Sequence, residues 1–425
     1  MNNRMIRTIL YLIPGALLCA ACLSAQAPAG SLKDEAVALF ERHDYHGAIG
    51  TLKLALKQDP EDAEIHYYLG YFTHYLCYDS VPLTGFGRGK SDEVLEHLRR
   101  AVELDPGLGN AYYFIGAEYG ARARQAMQDG RPEDIPVQFR LGYEEGGYPE
   151  WLIEFGRNML RSCERGAILF TGGDGDTNPA QYLQYVEGYR TDVTVIPVAL
   201  LERPWMLSLL KNGARGVVGT APISWTESQI QSMHPYKWRT NIIGIPVPEE
   251  VRPERGAGDE AVEYELAPDL TCGDGAGRLS AGRAALADIL VTNAWRRPVY
   301  FSMGCSRRAF EGLEDHLQLH GFARRLLPYE PTSRTDTERT AGLLMSPESF
   351  EHLPAVRERD MPRISGMMQN YRVCHLMLVS DLLKEGNVEE ARRIFSMMKE
   401  YIPEEVLPVS QGLRSTIDAI EQRLR

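Results

Sequence analysis

The sequence predicts an α/β fold with all-α flanks, and three patterns indicate it. Small and apolar residues recur at helical spacing before about residue 145, a strand, turn, helix and strand pattern occupies the middle of the chain, and helical spacing returns after about residue 363. We therefore expect helical hairpins at both ends and a central domain built on a parallel sheet.

The first segment, residues 1–25, resembles an export signal. Arg4 and Arg7 precede an apolar run from Ile9 to Leu18, and small residues follow as far as Ala25. Cys22 stands where a lipoprotein carries its lipid, and an uncleaved membrane anchor is the alternative. We expect an exported protein, periplasmic or outer-membrane-associated, that contacts a membrane only through this signal or through a lipid on Cys22.

Charge and cysteine usage argue against two classes of function. The formal net charge is -12, and loss of Arg4 and Arg7 with the signal would make it -14, so nucleic acid is not an expected partner. Of the seven cysteines, two lie within the signal and the others form no C-x-x-C pair, which excludes a finger-type zinc site. Disulfide pairing among them stays open.

Residues 31–145 carry a repeat of helical hairpins. The small and apolar positions of the second helix of a tetratricopeptide repeat are filled by Ala48, Leu52 and Ala55, and again by Leu98 and Ala101. Stacked hairpins of this kind present a concave surface that commonly binds a protein or peptide. The candidate anchors on that surface are Tyr67, Tyr68, Tyr71, Tyr112 and Tyr113, and core packing is the alternative role for each.

The middle of the chain, residues 150–330, is predicted to be the α/β domain. A buried strand is expected over Ala167–Phe170, a helix that starts with Asn178 as cap, and a second, parallel strand over Val193–Leu201. Ligands of open α/β sheets lie beyond the carboxyl ends of the strands. The residues that fall there are Gly172, Gly173, Asp174, Asp176 and Thr177.

The acidic character of this turn limits its chemistry. Asp174 and Asp176 would repel a phosphate, so the turn is neither a phosphate-cradling loop nor a dinucleotide fingerprint. Two carboxylates suit Mg, Mn or Ca, and they equally suit capping of the turn and helix. The sequence alone does not identify a cofactor.

The remaining segments are less strongly patterned. A helix is expected over Ala284–Thr292 and a strand over Pro298–Ser302, whereas Gly256–Gly282 reads as loop. Residues 331–362 are predicted to be a connector and residues 363–425 a C-terminal tetratricopeptide-like hairpin. His316 and His320 are four residues apart on an expected helix. We expect them to be exposed to solvent or hydrogen-bonded within the protein rather than to share a metal ion.

Three blocks of sequence resemble a known family: FTGGDGDTNPAQYLQYVEGYRTDV, ILVTNAWRRPVYFS and GLEDHLQLHGFARRLLP. They are similar to the C-terminal soluble part of bacterial multi-pass membrane proteins of unknown function that are often labelled protein O-mannosyltransferase-like. The likeness runs from about Trp151 to Pro408. In that family the transfer chemistry is assigned to the membrane-embedded half, and helical repeats stand in its place here.

The resemblance also implies a site. This chain retains the family's residues at Asp174, Asp176, Thr177, Asn293, Trp295, Arg297, Pro298 and Tyr300. It departs from the family pattern at Gly173, Gly175, Asn178, His316 and His320. From this we expect a ligand site where the turn at Asp174 meets the turn at Asn293 and Trp295.

Two functions follow as hypotheses. The first is an exported, non-catalytic interaction or scaffold protein of the bacterial cell envelope, accessory to envelope glycosylation. The alternative is a carbohydrate-binding or glycosyltransferase-like module in which Asp174 and Asp176 hold a divalent cation or sugar hydroxyls and Trp295 stacks on a sugar ring.

Overall fold

The structure is a computed structural model that describes residues 28–78, 88–217, 219–252, 260–271, 276–357 and 360–425. The predicted signal, the lipidation candidate Cys22, and most of the Gly-rich insert after Tyr78 lie outside these residues. No helix of the described part is long and apolar enough to cross a membrane.

The N-terminal part consists of antiparallel helical hairpins, as predicted. Its helices are α1 (Ala29–Glu41), α2 (Tyr45–Gln58), α3 (Ala63–Tyr78), α4 (Arg88–Leu104), α5 (Gly109–Gln128) and α6 (Asp134–Glu144). Ala48, Ala55 and Ala101 are fully buried. Gly70 lies against the Leu98 side chain, where a Cβ would be only 2.6 Å from the Leu98 Cγ. The small residues therefore let neighbouring helices approach closely, which is the packing reason for the repeat pattern.

The central part is built on a five-stranded mixed sheet in the order β2-β1-β8-β10-β9. Its strands are β1 (Ile168–Thr171), β2 (Thr194–Pro197), β8 (Val299–Ser302), β9 (Leu317–His320) and β10 (Ala323–Leu326). A three-stranded sheet is formed by β3 (Tyr236–Lys237), β7 (Gly277–Leu279) and β6 (Leu270–Thr271), and a two-stranded sheet by β4 (Asn241–Pro246) and β5 (Ala261–Leu266). The strands β2, β1 and β8 are parallel, as expected, whereas β10 and β9 run antiparallel.

Helices cover this sheet and complete the chain. They are α7 (Glu150–Ser162), α8 (Asp174–Tyr185), α9 (Pro204–Asn212), α10 (Glu227–Gln231), α11 (Ala281–Asn293), α12 (Thr337–Leu344), α13 (Pro362–Ser365), α14 (Gln369–Lys384), α15 (Val388–Tyr401) and α16 (Gln411–Leu424). The predicted layout of helical ends around a central α/β part is thus confirmed. The closing hairpin of α14 and α15 is also as expected.

The predicted start of α8 is wrong by five residues. The helix begins at Asp174, so Asn178 is an interior residue and Pro179 lies inside the helix. The reason is the side chain of Asp176, which accepts hydrogen bonds from the backbone N–H groups of Gly172 and Gly173, at 2.8 Å each. These bonds cap the helix earlier than an Asn-Pro start would.

Three further expectations require correction. Residues 256–282 contain the paired strands β5, β6 and β7 rather than only loop, and the connector over 331–362 contains α12. His316 and His320 flank and end strand β9, so they do not share a helical face. Strand pairing accounts for two of these differences, since β5 pairs with β4 and β9 pairs with β10 in spite of local sequence that carries many Gly or charged residues.

Shared cores join the three parts. Trp151 and Phe155 of α7 are buried in one apolar cluster with Tyr371 of α14 and other C-terminal residues. Tyr112 of α5 packs against both this cluster and the core of the repeats. The elements that surround the candidate site are therefore held from several sides.

Candidate functional site

A cavity of about 330 Å³ lies where the repeat helices meet the carboxyl ends of β1 and β2. Its volume is at the lower end of the range typical of small-ligand sites, about 300 to 1,000 Å³. One wall comes from α3 and α5, and the opposite wall from the turn after β1 and the segment after β2. Its lining includes His74, Tyr75, Tyr113, Phe114, Arg124, Gln125, Gln128, Gly172, Gly173, Asp174, Thr177, Ala199, Arg203 and Trp205.

Asp176 does not face this cavity. Its side chain is buried, with 1% of the residue exposed, and the Ser302 hydroxyl donates to the same carboxylate that caps Gly172 and Gly173. Burial raises the pKa of the Asp176 carboxyl above its usual range, and these donors act in the opposite direction. The carboxylate oxygens are therefore already engaged inside the protein.

Asp174 faces the cavity and pairs with the repeat helices. Its carboxylate accepts from Arg124 of α5 at 2.9 Å, and Arg124 also donates to the Asn178 side chain at 2.7 Å. The side chain of Asp174 is 32% exposed, so it can also bond to a ligand. Gly120 lies directly against Asn178, where a Cβ would overlap the amide. This close approach of α5 and α8 forms the cavity before any ligand arrives.

Thr177 lines the cavity but is buried and has an internal partner. Its hydroxyl lies 2.7 Å from the hydroxyl of Thr171. The predicted turn residues therefore have different roles. Gly172, Gly173, Asp174 and Thr177 line the cavity, and Asp176 and Thr177 hold the turn together through hydrogen bonds.

The segment after β2 contributes a guanidinium group to the cavity lining. Arg203 precedes α9 and lines the cavity together with Trp205. Its buried Nε has no hydrogen-bond partner, and among the described residues no carboxylate forms an ion pair with it. Burial lowers the pKa of the Arg203 guanidinium. A guanidinium that has no ion pair among the described residues and lines a cavity is suited to a polar or anionic ligand group.

A buried pair supports the wall formed by α3. The Nδ1 atom of His74 lies 2.8 Å from a carboxylate oxygen of Glu118, and Glu118 is 1% exposed. The other oxygen of Glu118 has no hydrogen-bond partner within the described part. The pair fixes the orientation of the imidazole that lines the cavity.

The tyrosines predicted as partner anchors lie in different surroundings. Tyr113 reaches the cavity, and burial raises the pKa of its hydroxyl. Tyr67 and Tyr71 are buried, and the Arg363 guanidinium of α13 lies over the Tyr71 ring at 4.3 Å. Tyr68 and Tyr112 are half-buried and pack against the core of the repeats. A segment of the chain itself thus covers part of the expected binding face.

The turn at Asn293 and Trp295 does not meet the turn at Asp174. Asn293 and Trp295 precede β8, while Asp174 follows β1, and these strands are parallel, so the two turns lie at opposite ends of the sheet. Asn293 instead closes its own turn, with its side chain bonded to the backbone of Arg297. The segment that meets the Asp174 turn follows β8 and includes Gly304, which lies against Asp176.

The described geometry gives no support for a cation shared by Asp174 and Asp176. One carboxylate faces the cavity and the other is enclosed by its hydrogen-bond donors. Among the described residues there is no group of three or more His, Cys, Asp or Glu placed to hold a metal ion. A cation at these two residues stays an untested prediction.

Several cavity residues were not predicted from the sequence. Arg124, Arg203, Trp205 and His74 stand far from the acidic turn in the chain, and no short motif marks them. They meet only because α5 docks on α8 and β2 lies beside β1. The one signal was position, since Arg203 and Trp205 follow the second predicted strand at the sheet edge where ligands bind.

Comparison with known proteins gives one informative match. Residues 152–235 and 237–342 match the family model described as TMEM260-associated domain 2. The match agrees, at a coarse level, with the predicted resemblance to O-mannosyltransferase-like proteins. No curated protein matches the chain.

A solved structure of a Thermobaculum terrenum O-GlcNAc transferase mutant is 18% identical over 39% of this chain and 36% of that one. Its TM-score is 0.21, which is too low to carry an argument about fold or function. Over residues 152–235 and 237–342, which make up most of its central part, the chain is similar to the family described as TMEM260-associated domain 2.

Proposed function

We propose that this chain is an exported protein of glycosylation-related function that binds a saccharide in the cavity between its repeat helices and its α/β part. The observation that carries the proposal is the lining of that cavity. Aromatic side chains, namely Tyr75, Tyr113 and Trp205, line it together with the planar polar groups of Asp174 and Arg124.

This lining matches the two faces of a sugar. Aromatic rings pack on the apolar C–H faces of a sugar ring, and carboxylate, guanidinium and amide groups bond its hydroxyls in fixed directions. Asp174 and Arg124 hold each other in place, and Gln125 and Gln128 add amide groups on the same helix. A pre-oriented polar set of this kind lowers the entropy lost on binding.

The position of the cavity supports the same proposal. It lies at the carboxyl ends of two parallel strands, where ligands of α/β sheets bind. It is also formed jointly by the repeats and the family-matched region, which begins at residue 152. In this proposal Asp174 bonds sugar hydroxyls directly, without the divalent cation considered from the sequence.

Calorimetric titration with a panel of methyl glycosides and O-mannosylated peptides tests the proposal. The parent should bind at least one of these, and Asp174→Asn should weaken that binding about tenfold or more, because a charged acceptor is lost. Asp92→Asn is the matched control. Asp92 also accepts from an arginine of α5, Arg122, at 2.6 Å, but it lies outside this cavity.

Two outcomes would contradict the proposal. One is the absence of binding by any glycoside or glycopeptide of the panel to the folded parent. The other is equal binding by Asp174→Asn and the parent, which would place the ligand elsewhere.

A second proposal is that the repeats bind a protein partner, and the structure shows what such binding would require. Because α13 and Arg363 cover Tyr71, a peptide on this face would have to displace them. We therefore favour the saccharide cavity.

A further inference from the structure

A second cavity, of about 460 Å³, lies between the sheet and α14. It shares no lining residue with the saccharide cavity. Its lining carries three guanidinium groups, Arg307, Arg324 and Arg334, and among its described lining residues Glu314 is the one carboxylate. The proposed saccharide function makes no use of this place.

Arg324 is the central group of this cavity. It lies on β10, partly buried, between Phe301 on β8 and Leu319 on β9. Its guanidinium stands 5.4 Å from the centre of the Phe310 ring, and in the described residues it has neither a hydrogen bond nor an ion pair. Burial lowers the pKa of this guanidinium. A partly buried guanidinium that no carboxylate of the described residues neutralises is suited to an anionic ligand that supplies the opposite charge.

The neighbouring arginines are paired, and this sets Arg324 apart. Arg307 donates to the Glu314 carboxylate at 2.7 Å, and Arg334 donates to the Glu314 backbone carbonyl at 2.6 Å and to Asp315. Arg325, the next residue along the strand, pairs with Glu164 at 2.5 Å. Adjacent strand residues face opposite sides of a sheet, so Arg325 belongs to different surroundings.

We propose that this second cavity binds the phosphate group of a small phosphomonoester, with Arg324 as its main contact. A guanidinium presents parallel N–H donors that match two oxygens of a phosphate. Arg307 and Arg334 also line the cavity, and Phe310, Leu317 and Met377 offer an apolar surface for the organic part.

The test is calorimetric titration of the purified protein with phenyl phosphate, inorganic phosphate and benzoate. We expect phenyl phosphate to bind more tightly than either, because inorganic phosphate lacks the apolar group and benzoate carries less charge. Arg324→Met should weaken phenyl phosphate binding about tenfold to a hundredfold, the range for loss of hydrogen bonds to a charged group. Arg324→Lys should keep part of the affinity, since it retains the charge without the planar fork.

Arg325→Met is the matched control, because it removes an arginine from the same strand and should leave binding unchanged. Thermal unfolding of each variant checks the fold, and Arg324→Met should be nearly as stable as the parent, because the described residues give Arg324 no hydrogen bond or ion pair that the substitution would break. Titration with methyl glycosides should be unaffected by Arg324→Met, which separates this site from the saccharide cavity.

Three results would overturn the inference: no binding of phenyl phosphate by the parent, equal binding by parent and Arg324→Met, or equal losses in Arg324→Met and Arg325→Met. Vesicles that contain phosphatidic acid test the other source of a phosphate. Sedimentation with these vesicles, without any response to phenyl phosphate, would assign the site to a lipid headgroup and contradict a soluble ligand.

Discussion

Asp174 and Asp176 stand two residues apart, and their carboxylates have different surroundings. Asp176 accepts from Gly172, Gly173 and Ser302 in the interior, and Asp174 pairs with Arg124 at the edge of the cavity. At the scale of single residues, one carboxylate therefore belongs to the fold and the other to the candidate site. The sequence alone shows only an acidic turn, because which way each side chain points depends on where the helix begins.

Substitution of these two residues should separate the roles. Asp176→Ala removes the acceptor of two backbone N–H groups and of the buried Ser302 hydroxyl, and should lower the free energy of unfolding by about 2 to 4 kcal/mol. Asp174→Ala removes a partly exposed ion pair, so this substitution should lower the free energy of unfolding by about 1 kcal/mol or less. Denaturant unfolding of both variants measures this difference, and equal losses would contradict the assignment.

His320 makes stability depend on pH. Burial is the largest cause that lowers its pKa, to about 4, and it outweighs the Asp336 carboxylate 3.8 Å away. The unfolded chain has the ordinary pKa of about 6.5 and binds a proton more readily, so stability should fall as the pH drops from about 6.5 to about 4. Between about pH 7 and about pH 5, the shifted pKa of His320 should lower the free energy of unfolding by roughly 2 kcal/mol.

The measurement is denaturant unfolding of the parent and of His320→Gln at both pH values. On acidification, the free energy of unfolding should fall by about 2 kcal/mol less in the variant than in the parent. Glu154, whose pKa burial raises to about 7, acts in the opposite direction in both proteins, so the comparison between them isolates His320. The same acid sensitivity in parent and variant would count against this account.

At the scale of elements, the docking of α5 on α8 determines the cavity. Gly120 lets the two helices approach at Asn178, and Arg124 joins them through Asn178 and Asp174. The repeats therefore supply one wall of a site that the α/β part alone does not complete.

Gly120→Ala tests this contact. The added Cβ would overlap the Asn178 amide, and overpacking of this kind lowers stability by about 1 to 3 kcal/mol. Gly50→Ala is a matched control in the interior of α2, where no atom lies within 4 Å of the added Cβ. It should raise stability by about 0.5 to 1 kcal/mol. Thermal unfolding compares the two, and a stabilised Gly120→Ala would refute close docking.

Elements with strong local patterns could be predicted, and those that depend on distant partners could not. The repeat hairpins, the parallel strands β1 and β2, and the closing hairpin follow from residue spacing alone. The strand β5 was missed because its pairing with β4 is decided by residues elsewhere in the chain. The start of α8 was misplaced because a side chain from its third residue, rather than Asn178, caps it.

At the scale of the whole molecule, the C-terminal helices complete the core of the α/β part. Trp151 and Phe155 of α7 are buried, and the Phe155 ring lies 5.6 Å from that of Tyr371 on α14. Arg363 and α13 meanwhile contact α5 of the repeats. The end of the chain thus joins its first and central parts.

Removal of residues 358–425 should therefore unfold more than the C-terminal hairpin. Each large apolar side chain uncovered loses about 1.5 to 3 kcal/mol of burial energy, and several would be uncovered at once. We expect the shortened chain to be cleaved rapidly by a protease between residues 150 and 330, whereas the full chain resists. A shortened chain that resists equally well in this region would show that its core is independent.

The candidate site could be predicted only in part at this scale. The sequence places Asp174 at the carboxyl end of a strand, and the structure confirms that position. It could not show that Tyr113, Arg203 and Trp205 converge there, since they come from three separate segments. Pairing of the Asp174 turn with Trp295 was wrong because residues that precede one parallel strand cannot meet residues that follow another.

The central claim is that the cavity between the repeats and the α/β part binds a saccharide, and blocking the cavity tests it most directly. Ala199 is exposed and lines the cavity, so Ala199→Trp fills it without disturbing a buried core, and Ala38→Trp on the exposed face of α1 is the control. Calorimetric titration with the glycoside and glycopeptide panel should show binding by the parent and Ala38→Trp, and its loss in Ala199→Trp. Binding that survives in Ala199→Trp, or none by the parent, would contradict the claim.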